Sequence, residues 1–501
     1  MSVFVDFGTH PSNHIRRVKA TPRPGWQALC EDCSLSFHSP EGGYWDESAR
    51  YAVSADAARE LQRATAELYA LCMRATEHVF NHPQLLARFG FSPQLLHAAR
   101  ASWARRDPAI MGRFDLTHRG DGAFVMLEFN AETPLTTLET GLVARELDEP
   151  QFNTLDEHLV ARWGELGLGA GTLVHFLGDL DDAEEHDTLA YVAGTAERAG
   201  FDVQLVDHGE CEWHAGVGLC THDERGERIP VTVAYKITPF EWFGDDLLRS
   251  LETTRWLEPP WRAVTASKAL LPVVYELARG SPYVLPALYP DRWAKPRLDG
   301  DWVSKPSGGR GGENVLHHLN GVLLEHLPSD RILQARIPPA QSGGKMYVIG
   351  SWVVGDVPCA ISFREEDGDE VTTTADAHYV PHYIEGPSPS FGAPQVLKIL
   401  HLHSGQDSDD DDGGGGGGGS GGGGIIEHHV HHHAGHHAGH HAGHHAGHHA
   451  GHHAAGHHKK HNAGKKGHMG KAKKATKKAH KGKMKRAGKG RGIKARGGRG
   501  G

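Results

Sequence analysis

The sequence predicts a mixed α/β body followed by a low-complexity tail. Three observations carry this reading. Residues 172–206 form a strand–helix–strand pattern, which demands a parallel pair of strands. Strand-like and helix-like segments alternate elsewhere along the body. After Tyr383 the composition changes abruptly, first to Pro and Ser, then to Asp, Gly, His and Lys.

Charge divides at the same place. The 501 residues include 53 Lys+Arg and 62 Asp+Glu, a net of -9. From Gly413 onward 18 basic residues accompany one acid, Glu427, a net of +17. Residues 1–412 therefore carry -26. The apolar content and 11 Trp exclude disorder of the whole chain. Six cysteines are too few for a disulfide scaffold. Cys30-Glu-Asp-Cys33 lacks a second pair, so reduced surface thiols are expected in preference to zinc. The start, MSVFVDFGTHPSNHIRR, has no apolar core of signal-peptide length, and no stretch approaches ~18 uncharged apolar residues. The expected compartment is cytoplasmic, with no membrane partner.

The elements follow in order. Ala57, Leu61, Ala64, Leu68, Leu71 and Cys72 recur at helical steps within 54–106. A second helix, Ser92–Arg105, follows a Phe-Gly-Phe break. GRFDL and FVMLEFN read as strands joined at Arg119-Gly-Asp-Gly122. ETPLTTLETGLVAREL opens on Thr and Pro and continues with helical spacing. TLVHFLG, HDTLAYVAGTAERAG and FDVQLVD supply the β-α-β unit. Gly167, Gly169 and Gly171 precede its first strand, the reverse of a dinucleotide fingerprint. Residues 262–279 read as one helix containing Lys268. WVSKPSGGRGGENVLHHL gives strand, glycine-rich loop and strand. RILQARI and MYVIGSWVVGDVPCAISFREE give further strands.

Four constellations could carry chemistry. Residues two apart on a strand share a face, so Arg113 pairs with Asp115 and Glu128 with Asn130. If the strands pair, two carboxylates and an amide oxygen converge as hard ligands for Mg²⁺ beside an arginine. On spacing alone a salt-bridged hairpin is the commoner outcome. Lys305-Pro-Ser-Gly-Gly-Arg-Gly-Gly-Glu313 suits a phosphate-covering loop, or equally an ordinary flexible hairpin. It is not a Walker A loop, since a strand follows and no Lys-Ser/Thr pair is present. Arg364-Glu-Glu-Asp-Gly, followed by Thr372-Thr-Thr, could present an arginine to a phosphoryl group, although a charged turn explains it as well. His208, Cys211, His214, Cys220 and His222 have ligand types without ligand spacing, and a hairpin with incidental His and Cys is expected.

With these strings assembled, the body resembles the glutathionylspermidine synthase family, in its C-terminal synthetase module. PGWQALCED, YWDESARYAVSADAARELQRATAELYALC, GRFDL, LEFNAETPLTTLE, QFNTLDEHLVARW, RWLEPPWRAVTASKALLP, KPSGGRGGENV, IGSWVVGDVPCAISFREEDG and VPHY occur in family order. The resemblance implies a permuted ATP-grasp fold with a pre-ATP-grasp-like region over 14–386, and ATP and Mg²⁺, as two ions, as cofactors. It implies that Asp115, Glu128 and Asn130 hold the metal. Arg113 and Arg364 would face the reacting carboxylate and phosphate. Lys268 and Lys305 would contact ATP, Gly308, Gly309, Gly311 and Gly312 would cover its phosphates, and Gln334 would flank adenine. Thr133 falls on a position that contacts the thiol peptide. The activity implied is amide formation between an acid, such as glutathione or a related peptide, and a polyamine or other amine. An amidase domain is not expected, because the chain begins at the synthetase region. Asp115 and Glu128 stand about one residue further apart than the family spacing, which a turn can absorb. The alternative function is a non-catalytic ATP-grasp-like binding protein.

The tail lies outside the family pattern. Residues 387–427 are expected to be a disordered Asp/Gly-rich linker, 428–458 a His-rich repeat and 459–501 a basic Lys/Arg/Gly-rich segment. Its 20 histidines from Gly413 onward could bind Zn²⁺, Ni²⁺ or Cu²⁺, although a low-complexity expansion with incidental affinity explains them. The lysines would bind polyanions in a salt-dependent way.

Overall fold

The periodic apolar stretch after Val53 forms a long helix, α1 (Ala55–Asn81). The Ser54 hydroxyl caps it by accepting from the Ala57 N–H at 3.2 Å. Leu61, Ala64, Leu68, Cys72, Ala75 and Val79 line its buried face. Ser92 caps α2 (Pro93–Arg105) in the same manner. This computed structural model describes residues 14–386 apart from 41–42, 120–121, 224, 293–296, 310–311 and 369–376. The chain divides into units 1–402 and 403–501. The expected linker, His-rich repeat and basic tail lie outside the described residues, as do Gly311 and the Thr372–Thr374 run.

An antiparallel sheet forms the centre. It contains β1 (Met111–His118) and β2 (Phe124–Asn130), which are the GRFDL and FVMLEFN segments. Two long strands, Lys345–Val354 and Val357–Glu366, continue it from the β1 side. α1 packs on one face, against the cluster that holds Phe114, Leu116, Ile349, Val353, Ile361 and Phe363. On the other face, Met111, Trp352, Val354 and Ala360 join a second core. That core belongs to a parallel sheet built on β3 (Leu173–Gly178) and β4 (Asp202–Asp207), joined by α3 (Ala183–Arg198). Asp182 caps α3 through the Glu184 and Glu185 N–H groups. A third sheet contains β5 (Trp302–Pro306), β6 (Leu316–His318) and β7 (Arg331–Ala335), all antiparallel. No described helix is long and apolar enough to cross a membrane.

Three expectations need correction. The 262–279 segment is not one helix. It breaks into α4 (Arg262–Ala266), a 3₁₀ turn at Lys268–Leu270 and α5 (Leu271–Leu277). Ser267 is extended and its hydroxyl caps the Ala269 N–H, while Pro272 lies in the first turn of α5, where its missing N–H costs nothing. Cys30 and Cys33 are buried, not at the surface, and burial pushes the Cys30 thiol up to about 12. ETPLTTLETGLVAREL yields only Thr137–Gly141 as α-helix, then a 3₁₀ turn at Val143–Glu146. The His208–His222 stretch folds as part of a small three-stranded sheet.

Pairing of β1 with β2 contains a bulge. Asp115 is opposite Glu128 and Leu116 opposite Met126, so Leu127 is the extra residue. Side chains alternate along a strand, and one extra residue reverses the phase. Phe124 and Met126 face the α1 core before the bulge, and Phe129 does so after it. Glu128 and Asn130 consequently turn to the side of Arg113 and Asp115.

The start of β1 is clamped by a buried ion pair. Glu258 accepts from the Ile110 and Met111 N–H groups at 3.0 and 2.8 Å, and Arg262 bonds Glu258 at 3.2 Å and the Met111 carbonyl. The Phe129 ring stacks on Phe114 at 3.8 Å, with the Arg262 guanidinium 5.4 Å from its centroid. A Cβ at Gly112 would stand 2.6 Å from Phe129. That ring has no room to withdraw. Gly112→Ala is therefore expected to destabilise the body by about 1–3 kcal/mol, measured as a lower urea midpoint than wild type.

Candidate active site

Asp115 is held between two guanidiniums. Arg113 Nε lies 2.8 Å from Oδ1 and Arg364 Nη2 lies 2.7 Å from Oδ2. Asp115 is 2% exposed. Burial pushes its carboxyl up, but Arg113 and Arg364 overcome this and hold it down at about 2. Arg113 also donates to the Leu135 carbonyl and to Thr136 Oγ1, which fixes its fork. Arg364 reaches Asp115 from the strand beyond Lys345–Val354, two strands away from β1.

Glu128 meets a different cation. Lys268 Nζ stands 3.0 Å from its Oε2. Burial raises the Glu128 carboxyl, and Lys268, with help from Lys305, brings it below its ordinary value. The same Lys268 ammonium donates to the Gly309 carbonyl at 2.9 Å. Lys268 can do so because the chain breaks at Ser267 and turns towards the glycine-rich loop.

Lys305, on β5, donates to the Leu127 carbonyl at 3.0 Å and to Gln334 Oε1 at 2.7 Å. Gln334 Nε2 in turn donates to the Met126 carbonyl at 3.1 Å. The bulge thus presents its backbone to two site residues. Asp115, Glu128, Lys268, Lys305, Gly312 and Gln334 line one cavity, closed on its apolar side by Val303, Val315 and Ile337. Glu128, Asn130, Thr133, Lys268, Gly308 and Gly309 line an adjoining one. The expected site residues within the described chain therefore come together, apart from Arg113 and Arg364, which line neither cavity and reach the first through Asp115.

The donor set fits a magnesium ion. Asn130 Nδ2 is buried with no partner. The ends of an amide are distinguished only by their hydrogen bonds, so a half-turn places its oxygen there. Among the described residues no cluster of three or more His, Cys, Asp and Glu gathers to hold an ion. Two carboxylates and one amide suit an ion that completes its shell with phosphate oxygens and water.

Five residues escaped the sequence reading. Tyr44 donates to Glu139 Oε1, and Glu139 Oε2 is buried without a partner. Burial is the main cause that raises the Glu139 carboxyl to about 7. Glu184, in the first turn of α3, is also raised by burial and then by Asp182, against the pull of Arg113 and Arg364. Glu132 binds Lys236, which is wholly buried. The available signal was an acid inside the otherwise small and apolar TLETG segment, and a lysine ending the apolar strand VAYK.

The family comparison bears on this geometry. The sequence profile of the glutathionylspermidine synthase pre-ATP-grasp family matches residues 17–385. The chain belongs to that family. A Haemophilus influenzae protein provisionally named acid–amine ligase is 27% identical over 367 residues, which cover 68% of this chain and 91% of that protein. Trypanothione synthetase and glutathionylspermidine synthase of Crithidia fasciculata are 26% and 28% identical over 60% of this chain. The chain spans about half of each, 51% and 47%. These relatives are ligases by name. A glutathione synthetase-like effector of Globodera pallida superposes with a TM-score of 0.46 at 12% identity, covering 73% of this chain and 98% of its own.

Two titrations can be checked. Burial lowers the Lys305 ammonium to about 8. Lys305 is charged below that value and neutral above it, so affinity of the cavity it lines for a polyanion such as ATP is expected to fall as pH rises through about 8. Lys305→Arg, charged throughout, is expected to remove that inflection in a binding titration across pH 7–9.5. Glu139 bears on folding instead of binding. Its raised carboxyl favours the native state at low pH, and this contribution is lost as pH rises through about 7. Glu139→Gln is expected to melt higher than wild type at pH 8, with the difference disappearing near pH 4.

Proposed function

We propose that this protein is an ATP-dependent carboxylate–amine ligase that works through an acyl phosphate. The supporting observation is Glu128, shared by two cavities and paired across the strands with Asp115, with Arg113, Arg364, Lys268 and Lys305 around the two carboxylates. Two carboxylates among four cations suit a site that must hold a metal and several phosphate oxygens together.

The nucleotide base would sit between the β5–β7 sheet and the bulged edge of β2, beside Gln334 and Ile337. Lys305 and Lys268 would contact its phosphates, with Gly308, Gly309 and Gly312 above them. Mg²⁺, held by Asp115, Glu128 and Asn130, would offset phosphate charge and orient the terminal phosphoryl group. Arg113 and Arg364 would orient the substrate carboxylate and stabilise charge on the equatorial phosphoryl oxygens. A carboxylate oxygen attacks the terminal phosphorus, and the bond to the bridging oxygen of ADP breaks. An amine nitrogen then attacks the acyl carbon, phosphate leaves, and the nitrogen loses its proton. Water must be kept from the acyl phosphate between these steps.

Glutathione or a related peptide is the proposed acid, with Thr133 contacting it, and a polyamine or another amine is the proposed nucleophile. Glu184 offers a carboxylate on the Arg113 side of the site, where a second ammonium of a polyamine would be favoured.

The test is ADP release by the full chain with Mg²⁺, over peptides including glutathione, each with and without spermidine. Turnover should require an acid–amine pair and fall at least about 100-fold in Glu128→Ala. Equal ADP release by wild type and Glu128→Ala would overturn the proposal.

A further inference from the structure

Gly309 is gripped by side chains at both of its backbone groups. Lys268 donates to its carbonyl at 2.9 Å. Its N–H points at Glu241 Oε1, 3.5 Å away. A Cβ built at Gly308 would lie 2.9 Å from Glu241 Oε2 and 3.1 Å from Oε1, so the carboxylate lies flat against this turn. Glu241 belongs to a single 3₁₀ turn, Phe240–Trp242, and is itself exposed. An exposed glutamate would ordinarily wander. This one is held by its neighbour.

Phe240 is 1% exposed, and its N–H donates to Glu132 Oε1 at 2.7 Å. The same oxygen accepts from Lys236, whose ammonium lies 3.8 Å from the Phe240 ring. Glu132 follows Asn130 by two residues. The connection from the metal-side asparagine to the glycine turn therefore runs through one buried ion pair, one backbone hydrogen bond and the Glu241 carboxylate.

We infer that Glu241 is a positioning residue that holds the Gly308–Gly309 turn over the phosphate side of the site. The inference deepens the ligase reading and rests on it for the identity of the anion beneath the turn. Backbone N–H groups bind phosphate well only when they are fixed in place. A hydrogen-bond acceptor at Glu241 is what this requires, and a negative charge is not. This sets glutamine apart from alanine.

The experiment measures affinity of the full chain for a non-hydrolysable ATP analogue with Mg²⁺, and separately for adenosine. Glu241→Ala should bind the analogue about threefold more weakly, the loss of one long, exposed hydrogen bond, and adenosine as wild type does. Glu241→Gln keeps the acceptor and should restore analogue binding. Gly308→Ala should mimic Glu241→Ala, because its methyl displaces the flexible end of the glutamate, and should add nothing in the Glu241→Ala background. Unchanged analogue affinity in Glu241→Ala would overturn the inference. Equal losses for analogue and adenosine would do the same, since they mark a general structural defect, and so would failure of Glu241→Gln to restore binding. A wild-type chain that binds neither ligand would sink the ligase reading instead. Hydrogen exchange of unliganded peptides spanning Gly308–Gly309 then decides the positioning claim: faster exchange in Glu241→Ala sustains it, equal exchange refutes it.

Discussion

The site depends on one extra residue in a strand. Without the bulge at Leu127, strict alternation would place Glu128 and Asn130 on the face that buries Phe124 and Met126. A carboxylate there would lose its hydration inside an apolar core, a cost of several kcal/mol. With the bulge, Phe129 takes the core position and packs on Phe114, while the acid and the amide join Asp115. The disrupted ladder also leaves the Leu127 carbonyl for Lys305. Glu128, Asn130 and Lys305 are thus registered to each other by the same backbone irregularity.

Burying charge around this bulge requires partners for every member. Asp115 lies between Arg113 and Arg364, Glu128 meets Lys268, Glu258 meets Arg262 and Glu132 meets Lys236. Removing one partner from such a pair strands the other in a low dielectric, which costs more than the pair contributes. The pairs are distributed across different parts of the chain, from β1 to the strand that bears Arg364. They impose geometric specificity that apolar packing alone would leave loose. Arg262 and Lys268 show how closely this is arranged. One clamps the start of β1 and the other reaches Glu128, and the break at Ser267 lets a run of seven residues do both.

Much of this was legible in the residues. The β-α-β unit, the long helix and the β1–β2 hairpin follow from periodicity and capping residues, and the Arg113/Asp115/Glu128/Asn130 grouping follows from two-residue spacing. That grouping was reached through alternation alone, which does not explain why Phe124 and Met126 avoid the same face. A bulge leaves no local signature in FVMLEFN, because its position is set by packing of Phe129 against Phe114 and Arg262. The broken helix at Ser267 was hidden for a related reason: apolar residues continue at helical intervals through it, and only the Ser-Lys and Leu-Pro steps mark the interruption. Glu139 and Tyr44 are 95 residues apart and meet only after the sheets have stacked. Spacing cannot reach contacts of that kind.

The six cysteines have a separate consequence. All are buried, and burial raises the thiols of Cys30, Cys72 and Cys211 to about 12. A thiol must ionise and be reached before it exchanges with a disulfide. These do neither at neutral pH. Burial and the raised thiols therefore disfavour mixed disulfides between the body and small disulfides in solution. A protein that handles a thiol-bearing peptide in its cavity, as proposed here, gains from this, since buried thiols with raised pKa values compete poorly for the substrate's sulfur.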